Sequence, residues 1–295
     1  MNPLGALLLL LSISLSSGRN ILSKSISGAR FGKRSFFFLQ AAIFLSGALI
    51  LAIVGARSFS AIAPETLLYA GIYGILLLSA QWCYTAALAG GQVSICATVY
   101  SLGFILPTAS GMIFWAEPIS ILKILGILTV IPTLILSASG NPKTEVREPS
   151  NRRYIVPLLI AMLSSGGLGI LQKVQQKSPF PQERTAFVTV AFLLAGIVSL
   201  LCALLLARRE DSPLPSGKEL LFASGVGICF GSCNLLNTTL AGLLPSAVFF
   251  PLLNIGMILL SLLLSVTIFR ERFTKRHAWI LSLGALSILL IALAP

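Results

Sequence analysis

Residues 245–269, PSAVFFPLLNIGMILLSLLLSVTIF, run without a single charged side chain. A run of that length, wound as an α-helix, crosses a hydrocarbon layer roughly 30 Å thick, which takes about 20 residues. In lipid only helices and closed barrels satisfy every backbone N–H and C=O. The apolar residues here are continuous rather than alternating, so the run reads as a helix and not as a barrel strand. The rest of the chain repeats the pattern. Hydrophobic residues make up 56% and charged residues 10%, and the mean hydropathy is +0.94. A soluble domain could not cover its surface with so few charges.

Ten such segments are expected, at about 3–23, 35–56, 65–88, 92–115, 119–139, 154–172, 185–207, 219–240, 245–269 and 277–294. The fold class is therefore all-α, a polytopic membrane protein of ten transmembrane helices. The N-terminal MNPLGALLLLLSISLSSG lacks the basic start of a signal peptide and reads as span 1. The longest polar connection, GNPKTEVREPSNRR at 140–153, divides five spans from five and reads as a cytoplasmic linker between segments 1–139 and 154–295.

The net charge of +12 lies between the apolar runs, which argues for headgroup contacts and orientation rather than nucleic-acid binding. With Arg19 at the end of span 1 and Lys123 at the start of span 5 counted with the adjoining connections, the stretches following spans 1, 5, 7 and 9 hold 5, 4, 3 and 4 Lys and Arg, and those following spans 2, 4 and 6 hold 1, 1 and 3. The positive-inside rule places the first group in the cytoplasm, which sets both termini outside.

The two halves echo one another. Leu15-Ser16-Ser17-Gly18 recurs as Leu163-Ser164-Ser165-Gly166, followed by a helix-end lysine in each case, Lys24 and Lys173. Leu88-Ala89-Gly90…Ser94 recurs as Leu240-Ala241-Gly242…Ser246, and Phe114-Trp115-Ala116-Glu117 as Ile268-Phe269-Arg270-Glu271. A duplicated unit with an odd number of spans inserts its second copy upside down. The expectation is two inverted five-helix repeats, an architecture in which substrate binds near the midplane.

These residues resemble the drug/metabolite transporter superfamily, specifically its ten-helix EamA-like branch. The resemblance rests on the helix-end lysines of GRNILSK (18–24) and GILQK (169–173), and on the paired runs 84–107 and 236–253. It rests also on the acids Glu117 and Glu271 and on the glycines Gly126 and Gly284. It implies a solute carrier with a central cavity lined mainly by spans 1, 3, 4, 6, 8 and 9, for substrates as varied as amino acids, nucleosides, sugars, cations and drugs. Related four-helix multidrug transporters carry a glutamate in span 1. Eight residues before Lys24 this chain has Ser16, and span 1 has no acid. Proton-coupled cation export by that route is not expected.

The candidate substrate-binding residues are Arg19, Asn20, Gln81, Trp82, Tyr84, Tyr100, Asn234, Asn237 and Asn254. Arg19, about 24 Å along span 1 at 1.5 Å per residue, would pair with a carboxylate or phosphate, or else snorkel to headgroups. The amides of Gln81, Gln172, Asn234, Asn237 and Asn254 need partners in lipid, in a neighbouring helix or in a wet cavity. Trp82, Tyr84 and Tyr100, with Tyr73 two turns earlier, could form an aromatic wall for a ring or an ammonium, or simply pack. Trp115 and Trp279 read as interfacial belt residues.

Glu117 and Glu271 read as loop ion pairs or caps beside Lys123, Arg270 and Arg272, with a gate or proton site as the alternative. His277 reads as interfacial. Gly227-Ile-Cys-Phe-Gly231 is a close-packing GxxxG face, and Pro107, Pro132, Pro157 and Pro251 are candidate kinks. The cysteines Cys83, Cys96, Cys202, Cys229 and Cys233 read as packing residues; no metal or cofactor is expected.

The sequence thus points to a secondary transporter, not an enzyme, for a small neutral, zwitterionic or weakly anionic metabolite. Its expected partners are membrane lipids and the substrate, with no nucleic acid, and the chain is a monomer or homodimer in the cell membrane. A channel or lipid scramblase is the alternative. A membrane-embedded lipid-modifying enzyme is less favoured, because the nine acids are scattered and no P-loop appears.

Overall fold

The computed structural model describes residues 3–26, 32–56, 59, 62–90, 93–118, 120–138, 154–206, 214–267 and 274–293. The linker 140–153 and Glu271, with its neighbours Arg270 and Arg272, lie outside the described residues. Eleven α-helices are named in chain order. They are α1 (Pro3–Ile26), α2 (Lys33–Val54), α3 (Pro64–Gly90), α4 (Val93–Ser101), α5 (Ile105–Trp115), α6 (Ile121–Ala138), α7 (Ile155–Lys177), α8 (Arg184–Leu206), α9 (Gly217–Leu243), α10 (Ser246–Thr267) and α11 (Lys275–Ala292). No strand occurs among the described residues.

Each expected span coincides with helix, but span 4 is not continuous. A 3-10 turn, Leu102–Phe104, separates α4 from α5. The cause is Pro107, whose missing N–H and ring disfavour the regular bond to the carbonyl four residues back, that of Gly103. Pro132 and Pro251, by contrast, lie inside α6 and α10 without ending them. Seven of the helical segments are long and apolar enough to cross a membrane, and Ile121–Ser137 is a shorter apolar helix. The remaining two, α1 and α11, carry the polar positions Ser12, Ser16 and Arg19, and Lys275, Arg276 and His277.

The chain divides into two compact units. One comprises Leu11–Leu78 and Val174–Thr239, and is built chiefly on α2 packed along α8. Phe44, Phe192 and Phe230 form its aromatic centre, with Phe44–Phe192 and Phe192–Phe230 centroids 5.7 and 5.1 Å apart in edge-on geometry. Small residues let backbones meet there. A Cβ on Gly231 would lie 2.9 Å from the Gly47 carbonyl, and one on Gly227 would overlap the Ile43 carbonyl and the Ser46 hydroxyl. The GxxxG face of α9 is thus a packing surface against α2. In the same unit Glu183 accepts the Ala63 N–H, capping α3 where neither Ala63 nor Pro64 offers a capping side chain.

The other unit comprises Met1–Leu10, Ser79–Lys173 and Leu240–Pro295. Here α6 packs on α11 and α5 on α10. A Cβ on Gly126 would come 2.5 Å from Ile291, and Ser287 donates to the Gly126 carbonyl at 2.6 Å. His277 joins Thr274 in a reciprocal capping box at the start of α11, at 3.4 Å in both directions. The sole histidine therefore acts as a helix cap.

Candidate functional site

In the α2/α8 unit two polar stripes face each other. Ser12, Ser16 and Arg19 recur at four and three residues along α1, and Phe230, Cys233, Asn234 and Asn237 recur at three, one and three along α9. Both spacings put the side chains on one helix face. Ser12 donates to the Asn237 amide oxygen at 2.5 Å, and the hydroxyls of Ser12 and Ser16 lie 3.5 and 2.9 Å from the Cys233 sulfur. The Asn237 amide nitrogen reaches the same sulfur at 3.5 Å. On the far side of α9, Tyr73 of α3 donates to the Asn234 oxygen at 2.6 Å, while the Asn234 amide donates to the Phe230 carbonyl at 2.8 Å. The Arg19 guanidinium carbon sits 3.7 Å from the centroid of the Phe230 ring, a cation–π stack.

Ser12, Ser16, Tyr73, Cys233 and Asn234 are buried, whereas Arg19 and Asn237 are half-buried at the rim. An amide has two N–H hydrogens, and the Cys233 contact uses one of the two on Asn237. The network thus carries a guanidinium near Phe230 and, about two helical turns away, the Asn237 amide, both hydrogen-bond donors. They suit a ligand with carboxylate, phosphate or carbonyl oxygens.

Arg19, Asn234 and Asn237, read from the sequence, thus all fall within the α1/α9 region, each with its own partner. Asn20 is exposed, a helical step away from the stripe. Gln81, Trp82, Tyr84, Tyr100 and Asn254 lie in the other unit. The Tyr84 and Tyr100 rings are 4.5 Å apart, and Tyr84 packs on the core of Ala87, Cys96 and Leu158, so packing accounts for this aromatic pair. Trp82 and Gln81 are half-buried in α3, and the Gln81 carbonyl accepts from Thr85. Asn254 donates to the Phe250 carbonyl within its own helix at 3.0 Å. Ser12, Ser16 and Cys233 were not singled out as site residues in the sequence; their signal is the polar stripe that shares a face with Arg19.

The second polar place lies in the α5/α10 unit and is charged. Lys173 Nζ is 2.7 Å from Glu117 Oε1, with side-chain exposures of 3% and 11%. Lys173 also donates to the Leu244 carbonyl at 3.0 Å, and Glu117 Oε2 accepts the Ser246 N–H at 2.6 Å. The Ser246 hydroxyl donates to Oε1 at 3.3 Å. Ala116, at φ 47°, turns the chain out of α5 and delivers Glu117 to this position. Lys123, the basic neighbour in sequence, donates to the Pro118 carbonyl at 3.3 Å. Among the described residues no three His, Cys, Asp or Glu side chains gather as a metal site would require.

Residues 152–293 match the model of the EamA-like transporter family. The second half of the chain is thus similar to EamA-like transporters. With seven helices long and apolar enough to cross a membrane, the chain is a multi-pass membrane protein. A solved structure described only as "Crystal structure of protein" aligns with 99% of this chain and 98% of its own, at 17% identity and a TM-score of 0.78. At that identity it shares the fold with this chain and nothing finer. No curated protein matches the sequence.

Proposed function

We propose that the chain is a secondary carrier that moves a small neutral, zwitterionic or weakly anionic metabolite across the cell membrane by alternating access. The observation that carries this reading is the network joining Ser12 and Ser16 of α1 to Cys233 and Asn237 of α9, with Arg19 stacked on Phe230 of the same helix. Polar groups inside a membrane protein are costly, and they mark substrate paths more often than scaffolding. We read Arg19 and Asn237 as the substrate-facing donors, and Asn234, held by Tyr73, as their support. Gln81, Trp82, Tyr84, Tyr100 and Asn254 remain secondary candidates from span position alone. Asn20 is the weakest.

The same reading takes the ten helical segments as ten spans in two inverted repeats, with substrate between the repeats. Supporting it, the helices that the repeat makes equivalent pack on each other: α2 on α8, α5 on α10 and α6 on α11. Equivalent elements meet where a two-fold axis passes. Both termini are proposed to be extracytoplasmic, and the carrier to act as a monomer or homodimer.

Purified protein in liposomes tests the proposal with a panel of radiolabelled amino acids, nucleosides and sugar phosphates. A carrier gives saturable, competable uptake, weakened by Arg19→Ala or Asn237→Ala. Ohmic current with no saturation would identify a channel instead. Lipid flip without solute uptake would identify a scramblase.

A further inference from the structure

The ion pair of Lys173 and Glu117 straddles a corner. Leu244 and Pro245 join α9 to α10, and this corner presents two helix ends of opposite polarity. Lys173 holds the carbonyl of Leu244, at the negative C-terminal end of α9. Glu117 holds the N–H of Ser246, at the positive N-terminal end of α10. Pro245, preceding α10, has no side chain able to cap it, so the cap comes from 129 residues away. Each charge therefore grips the helix end that its sign prefers.

The charges also grip each other, at 2.7 Å. Withdrawal of the corner would break hydrogen bonds to Leu244 and Ser246 but would strand neither charge, because the pair stays intact. A clasp built in this way holds firmly and can still release. Gly111 is its seat. A Cβ there would lie 2.5 Å from both Glu117 Oε2 and the Ser246 Cβ, so only hydrogen fits between α5 and the corner.

We propose that Glu117 and Lys173, seated on Gly111, form a releasable latch that clasps the α9–α10 corner to the ends of α5 and α7. The latch must open for the start of α10 to move. The purpose of that movement rests on the carrier reading: Glu117, Lys173 and Ser246 fall at the ends of spans 4 and 6 and the start of span 9. Alternating spans set all three at one membrane face, where one mouth of the pathway would close.

Hydrogen–deuterium exchange on the full-length protein in nanodiscs, read at amides 246–249, tests the latch without needing a substrate. Two variants loosen it by different routes: Glu117→Leu with Lys173→Met removes both grips and leaves no lone charge, and Gly111→Ala wedges the seat. In each, exchange at 246–249 should rise about tenfold or more, while amides along the α2/α8 pair keep wild-type rates, the mark of local opening. Unchanged exchange at 246–249, in either variant, would overturn the latch. So would a rise shared equally by α2 and α8, since that reports general loosening. If the double variant does not fold, Gly111→Ala carries the test alone. Uptake separates the latch from the carrier. Wild-type protein that transports nothing while showing the exchange pattern removes the carrier reading and keeps the latch. Active transport with flat exchange removes only the latch.

Discussion

The α1/α9 network and the Lys173–Glu117 clasp satisfy polar atoms inside an apolar protein in opposite ways. The first spreads the task over hydroxyls, a thiol and amides, with a cation only at its rim. The second concentrates it in two opposite charges that hold each other and two helix ends. A distributed network can lose one member and rearrange around a ligand. A charge pair cannot lose one member, since the survivor is a buried charge without compensation. The difference suits the first place to recognising a solute and the second to holding a conformation.

Three measurements of decreasing effect would break or sharpen this contrast. Lys173→Met alone should cost on the order of 3–5 kcal/mol by thermal or denaturant unfolding in detergent, as expected when a buried pair loses one partner. Adding Glu117→Leu should recover most of that loss. A double variant whose cost equals the sum of the singles would show that the two charges are not coupled.

Gly227→Ala should come next, at roughly 1–3 kcal/mol, because its Cβ overlaps the Ile43 carbonyl and overpacked cores lose about that much. Solute uptake per folded molecule should fall with it, since α9 carries the network. Uptake that persists at the wild-type rate in folded variant protein would separate the network from transport. Asn237→Ala should be the mildest in stability, near 0.5–1.5 kcal/mol for the hydrogen bond from Ser12, the Cys233 contact being long and weak, yet it should raise the KM for uptake. Stability loss as large as for Lys173→Met, with KM unchanged, would erase the distinction between the two places.

Local pattern carried the helices well and their long-range pairing poorly. All ten apolar segments recur as helix, because hydrophobic runs of that length leave few alternatives. The end of α7 was placed at residue 172, but it reaches Lys177, since the polar run after Lys173 still pays its way through Gln175, fully buried and donating to the Phe180 carbonyl at 3.0 Å. The break in span 4 follows from Pro107, whose effect on an apolar run depends on neighbours that a sequence does not reveal. Pro251 sits in as apolar a run and leaves α10 whole.

At the sites, Arg19, Asn234 and Asn237 stood out as polar residues in lipid. Ser12, Ser16 and Cys233 did not, because such small side chains are as common at plain packing faces. Glu117 and Lys173 each read as helix-end charges in the sequence. Their meeting depends on how α5 and α7 are brought together; the reading of Glu117 as an ion pair or cap holds, with the distant Lys173 and Ser246 as its partners. The proposed duplication would set Lys24, Ser94 and Glu271 at the corresponding sequence positions. Their side chains lie outside the described residues.

The missing side chain at Gly111 has a consequence for descent. While an acid occupies position 117 and reaches the corner, position 111 admits no carbon. A lineage that traded the acid for a smaller residue would free that glycine to become alanine or serine. The reverse order, alanine first, would have to pass through a chain with its clasp pushed open. Homologues should therefore show an acid at 117 accompanied by glycine at 111, and substitutions at 111 only where the acid has already gone.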